Sequence, residues 1–88
     1  MSLSLTASDL SRQKLVRIDG VRPDTLVGEV VSRLVTRMRL PRNDSSGRPV
    51  SYHALLERQG THLESGRRIG EVARTDDALV IQPRIDAG

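Results

Sequence analysis

Apolar and polar residues alternate from the second position onward: Leu3, Leu5 and Ala7 on one side, Ser2, Ser4 and Thr6 on the other. A period of two predicts a half-buried β-strand. The polar stretch SDLSRQ that follows has the character of a turn. KLVRID then offers a second strand with Val16 and Ile18 facing inward, so the two runs predict a hairpin whose register is left open around Asp19–Val21.

The period changes at VRPDTLVGEVVSRLVTRMRLP. Val27, Val30, Val31, Leu34 and Met38 recur at spacings of three and four, flanked by Leu26 and Val35, which is one apolar stripe of a helix. Asp24 or Thr25 is expected to cap its free N–H groups, with Pro23 just outside and Pro41 as the stop. Glu29, Arg33 and Arg37 fall on the opposite, solvated face, where Glu29 is placed to pair with Arg33.

RNDSSGRP reads as a loop. In VSYHALLE, Tyr52, Ala54 and Leu56 form one face of a third strand, leaving His53 on the other, and His62 is expected in the turn after Gly60. In THLESGRRIGEV the expected core anchors are Leu63, Ile69 and Val72, and Gly66 is expected to supply a turn with positive φ. The last strand is ALVIQ, with Leu79 and Ile81 inward, and Pro83 is expected to end its pairing. The order of strand, strand, helix, strand, short compact segment, strand predicts an α+β fold: one helix across a single four-stranded mixed sheet.

Composition narrows the function classes. A chain of 88 residues with no Phe, no Trp and one Tyr must build its core from Leu, Val, Ile and Ala with Met38. That leaves little room for a buried catalytic cleft. The absence of Cys excludes thiolate metal sites and disulfides and agrees with a reducing, cytoplasmic setting. No run approaches the length needed to span a membrane, and the N-terminus lacks the pattern of a secretion signal, so no membrane partner is expected. Thirteen Arg and one Lys give a net charge of +3, but without aromatic side chains to stack on bases no nucleic-acid partner is expected. His53 and His62 stand without Cys or carboxylates at metal-ligand spacing, so no metal is expected. Ser51 and His53 lack an orienting acid and an oxyanion hole, so no catalytic residue is assigned and an enzyme is not expected.

GTHLESGRRI, Gly60 to Ile69, resembles the ubiquitin segment that runs Gly, two polar residues, Leu-Glu, a small or acidic residue, Gly-Arg, one residue and an aliphatic. DALVIQPRIDAG, from Asp77, resembles the ubiquitin C-terminus, and the helix after RPDT falls in the corresponding place. The resemblance covers nearly the whole chain from Leu3 and implies a β-grasp, ubiquitin-like fold over residues 1–82 with an extended tail over 83–88.

The same resemblance implies a carrier role. Gly88 would be the acyl donor, its carboxylate adenylated by an activating enzyme that uses ATP; the chain itself needs no cofactor. Ala87 would follow Gly88 into a narrow channel, and Arg84 matches the tail arginine that activating enzymes read. A conjugating enzyme and a processing peptidase are the further partners implied, and Lys14 would be the one lysine acceptor for chains. The Arg-rich chain is similar to bacterial ubiquitin-like modifiers implicated in antiphage defence.

There are departures. Ala87 replaces a glycine and Asp86 a basic residue. In the aliphatic recognition patch of ubiquitin, the isoleucine position is Glu57 and the valine position Gln82, so ordinary ubiquitin-binding proteins should not recognise the chain. The alternatives are a non-covalent ubiquitin-like adaptor of the type associated with type VII secretion and, less favoured, a sulfur carrier.

Overall fold

The structure is a computed structural model and is described for residues 2–84. The alternating N-terminal run forms β1 (Leu3–Asp9), and β2 (Leu15–Val21) returns antiparallel to it. The register open in the sequence is settled by a bulge: Leu5 faces Ile18 but Leu3 faces Val21, so β2 carries one extra residue there. Gly20, at φ +70°, absorbs it, in a region of backbone space that favours glycine.

The apolar stripe becomes α1 (Val27–Arg37), which buries Val27, Val30, Val31, Leu34 and Val35 against the sheet. Then come β3 (Ser51–Leu56), β4 (Thr61–Leu63), the single helical turn α2 (Ile69–Val72) and β5 (Ala78–Arg84). The sheet order is β2-β1-β5-β3-β4, with β5 parallel to β1 and antiparallel to β3. The expected α+β architecture is present, with five strands rather than four. The additional strand, β4, pairs Leu63 with Ala54 and Thr61 with Leu56. Three residues are too few to show a period of two, and His62 therefore lies on a strand rather than in a turn.

The core is aliphatic throughout. Leu5, Leu34, Ala54, Leu56 and Ile69 are fully enclosed, with Val27, Val30, Leu79 and Ile81 at 1% exposure. Leu63 and Val72 pack at its edge.

Neither Asp24 nor Thr25 caps α1; Leu26 is the N-cap residue and makes no side-chain bond. The free amides are met by backbone from far downstream in the chain: Val27 N–H donates to the Arg67 carbonyl (2.8 Å) and Gly28 N–H to the Ser65 carbonyl (3.0 Å). In return Ile69 N–H donates to Thr25 and Gly70 N–H to Pro23, at 2.8 and 2.9 Å. Gly66 does not supply a positive φ here; the left-handed glycines are Gly20, Gly47 and Gly60. The glycine that the clamp requires is Gly70, where a Cβ would sit 2.6 Å from the Pro23 Cβ.

At its other end α1 closes in a Schellman motif. Leu40 N–H donates to the Val35 carbonyl (3.0 Å) and Arg39 N–H to Thr36 (3.2 Å), with Arg39 at φ +56° in the position usually held by glycine. Pro41 follows, and its carbonyl accepts the Tyr52 hydroxyl at 2.6 Å. The long loop folds on Asp44, whose carboxylate accepts the Ser46 and Arg48 amides.

Asp77 is the buried charge of the fold. Its carboxylate accepts the Arg74 amide (2.8 Å) and both arms of Arg58 (3.0 and 3.2 Å). Hydrogen bonding to Arg58, foremost, and to the Arg74 amide holds the carboxyl below its ordinary value, against the opposing effect of burial.

Two predictions follow from these contacts. Gly70→Ala should lose about 1–3 kcal/mol in urea denaturation, because Pro23 cannot yield without opening the clamp. Asp77 is bound as the anion, so its contribution is fully present above the unfolded carboxylate value of about 3.9 and is lost as pH falls through the lower folded value. Asp77→Asn should cost about 1–3 kcal/mol at neutral pH. It should also flatten the fall of the melting temperature below about pH 4 relative to the parent, measured by circular dichroism.

Candidate functional site

β5 is the central strand, bonded to β1 over Ala78–Ile81 and to β3 over Leu79–Arg84. Pairing extends past Gln82: Pro83 faces Tyr52 and Arg84 faces Ser51, contrary to the expected stop at Pro83. The reason lies in the alternation of the ladder. Glu57 N–H donates to the Ala78 carbonyl (3.0 Å), so Ala78, Val80, Gln82 and Arg84 exchange bonds with β3 while the Pro83 nitrogen lies on the opposite edge. Pairing with β1 has ended by then, at Asp9–Ile81, and no ladder bond is lost.

Arg84 is thus exposed, paired with Ser51 at the last described position of the sheet. Ala87 and Gly88 lie outside the described residues. Lys14, at the end of the β1–β2 turn, is exposed, and its Nζ donates to the Arg39 carbonyl at 3.5 Å. Arg84 and Lys14 are therefore on separate elements and do not form one pocket.

The face of the sheet away from α1 carries a line of residues in register across all five strands: Leu15, Ser8, Val80, Leu55 and His62. Leu15 is 70% exposed, whereas Val80 is buried by its neighbours although it points away from the core cluster. The strand register sets Leu55 against Val80 on this face, whereas Glu57, the expected isoleucine position of the recognition patch, falls in the turn beyond β3, 3.0 Å from Arg12. Gln82 does occupy the outer face, where its amide oxygen contacts His53 Nε2 at 3.3 Å. The face therefore holds the aliphatic side chains of Leu15, Val80 and Leu55.

His53 and His62 meet edge to face, with ring centroids 4.3 Å apart. Among the described residues no group of three or more His, Asp or Glu side chains is disposed to hold a metal ion.

No family model and no curated protein sequence matches the chain. Solved structures do. Ubiquitin from Caldiarchaeum subterraneum superimposes with a TM-score of 0.71 at 14% identity, covering 100% of both chains. The chain has the ubiquitin-like β-grasp fold. A designed protein based on ubiquitin gives a TM-score of 0.72 at 19% identity over 99% of this chain and 95% of that one. The structure described as "Molecular Mimicry of SUMO promotes DNA repair" gives 0.64 at 13% identity over 96% and 91%. In the β-grasp fold adopted here, β5 crosses the middle of the sheet and brings Arg84 to its margin, while the outer face carries the Leu15–His62 line.

Leu15 contributes surface rather than stability. Leu15→Ser should shift the free energy of unfolding by less than about 0.5 kcal/mol, whereas Leu5→Ala, in the core, should cost about 2–5 kcal/mol in the same urea titration.

Proposed function

We propose that this β-grasp chain is a bacterial protein modifier, joined to target proteins through the carboxylate of Gly88. The observation that carries the proposal is a ubiquitin-like fold whose last described strand is central in the sheet, held by β1 as far as Ile81 and by β3 as far as Arg84. A tail leaving from such an anchored strand extends by about 3.3 Å per residue into an enzyme channel while the body stays folded.

The chemistry is supplied by the partners. An activating enzyme transfers AMP from ATP to the Gly88 carboxylate with release of pyrophosphate. An enzyme cysteine thiolate then displaces AMP to give a thioester, and a target amine or hydroxyl displaces the thiol. Gly88 without a Cβ and Ala87 with a single methyl group let the backbone approach those catalytic groups closely. Arg84 is the residue by which the activating enzyme grips the tail. A conjugating enzyme carries the thioester onward, and a peptidase exposes Gly88 where further residues follow it. Lys14, exposed and alone, limits lysine-linked polymers to one branch point. The chain supplies no catalytic residue or cofactor and works in the cytoplasm, with antiphage defence as the setting suggested by its similarity to bacterial ubiquitin-like modifiers.

A second reading, a non-covalent adaptor, is favoured by one observation, the exposed Leu15 on the outer face, in line across the sheet with Val80 and Leu55.

The two separate on denaturing gels of the native host expressing N-terminally tagged parent or Gly88-deleted protein, with and without hydroxylamine. Heavier species that require Gly88 are expected, resistant to hydroxylamine for amides and lost for esters. Free protein alone from both, with the neighbouring genes expressed, would overturn the modifier and leave the adaptor. The deletion should not change the melting temperature.

A further inference from the structure

We infer that the outward face of α1 is a docking surface for an acidic protein segment, engaged by Arg33, Arg37 and Arg42. The inference is independent of whether Gly88 is activated.

The first observation is how charge is partitioned. Residues 30–50 hold five arginines and one aspartate, a net +4, while the remainder of the chain holds nine basic and ten acidic groups. The excess positive charge of the protein thus resides in the second half of α1 and the loop that follows it. The second observation is that these arginines are uncommitted. Arg12, Arg17, Arg22, Arg58 and Arg67 each pair with a carboxylate, but among the described residues no ion pair involves Arg33, Arg37, Arg39, Arg42 or Arg48. The expected Glu29–Arg33 pair is not formed. The carboxylate of Asp19 bonds to Arg17 at 3.1 Å.

The third observation is convergence. Arg33 and Arg37 are one turn apart on the exposed side of α1. Arg42 comes from the loop, and its Nη2 donates to the Thr36 hydroxyl at 2.6 Å, which draws a third guanidinium onto the same helix face. Thr36 is held in turn by donating to the Ser32 carbonyl at 3.2 Å. Arg33 and Arg37 border a shallow depression lined also by Glu29, Ser32 and Thr36, and Arg42 reaches it through the Thr36 hydroxyl. Only Arg37 lies in the last turn, so complementing the helix dipole does not account for the set.

Planar guanidinium groups suit carboxylates as bidentate partners, and a field of this size steers an acidic partner on approach. A nucleic acid fits less well. A continuous phosphate track would run onto Glu29 and the net acidic remainder, and no aromatic side chain borders the depression for bases to stack on.

The test is fluorescence anisotropy with a fluorescein-labelled octaglutamate peptide at about 50 and 150 mM salt. Three proteins are compared: the parent, the triple variant Arg33→Gln, Arg37→Gln, Arg42→Gln, and a charge-matched triple variant Arg22→Gln, Arg68→Gln, Arg74→Gln. The first triple variant should weaken binding about tenfold or more and the matched one less than about twofold. Equal weakening by both, or no binding to the parent, would overturn the inference. So would tighter binding of a DNA duplex of about 20 base pairs at the higher salt. Should the triple variant melt early, the single changes Arg33→Gln and Arg42→Gln, each expected to weaken binding about threefold, decide in its place.

Discussion

The reciprocal backbone clamp between residues 23–28 and 65–70 is the contact on which the rest of the fold turns. A helix of this length is marginal in isolation, and its first amides need partners. Here those partners are the Ser65 and Arg67 carbonyls, while the Ile69 and Gly70 amides are answered by Thr25 and Pro23. The helix, the segment after β4 and the one-turn helix are thereby fixed as one unit over the sheet. The same requirement explains why β4 is so short. Beyond Leu63 the chain must turn away from β3 to bring Ser65 over the start of α1.

That clamp also explains what the sequence could and could not disclose. The apolar periodicities of β1, β3, β5 and α1 are local, and Leu5, Leu34, Leu56, Leu79 and Ile81 occupy the core that their spacing implied. The cap of α1 was not legible, because Asp24 and Thr25 have suitable side chains but distant carbonyls make the bonds. The glycine requirement at Gly70 arises from Pro23, 47 positions earlier in the chain, whereas Gly66 sits in an ordinary conformation. β4 was missed for its length. The outer face depends on pairing rather than on the order of residues: the β3–β5 register sets Leu55 opposite Val80 and leaves Glu57 in the turn.

The candidate site divides in the same way. Arg84 and Lys14 were legible as residue types, and their placement at the sheet margin and at the β1–β2 turn came from the topology. The arginine face of α1 read as a solvated helix surface until Arg42 was seen to return to it through Thr36. Three surfaces are thus kept apart on one small body: the margin at Arg84, the aliphatic line on the open side of the sheet, and the cationic side of the helix. Surfaces set apart in this way can be covered independently of one another.

Pro83 shows how a central strand can run beyond its neighbour safely. Past Ile81, β1 no longer covers β5, and a bare strand margin would ordinarily invite another chain to add to it. The residue whose backbone nitrogen turns toward that uncovered margin is the one that has no hydrogen to offer. A foreign strand arriving there finds no donor with which to begin a ladder. The stiff ring therefore keeps the sheet from growing sideways into aggregates along this margin.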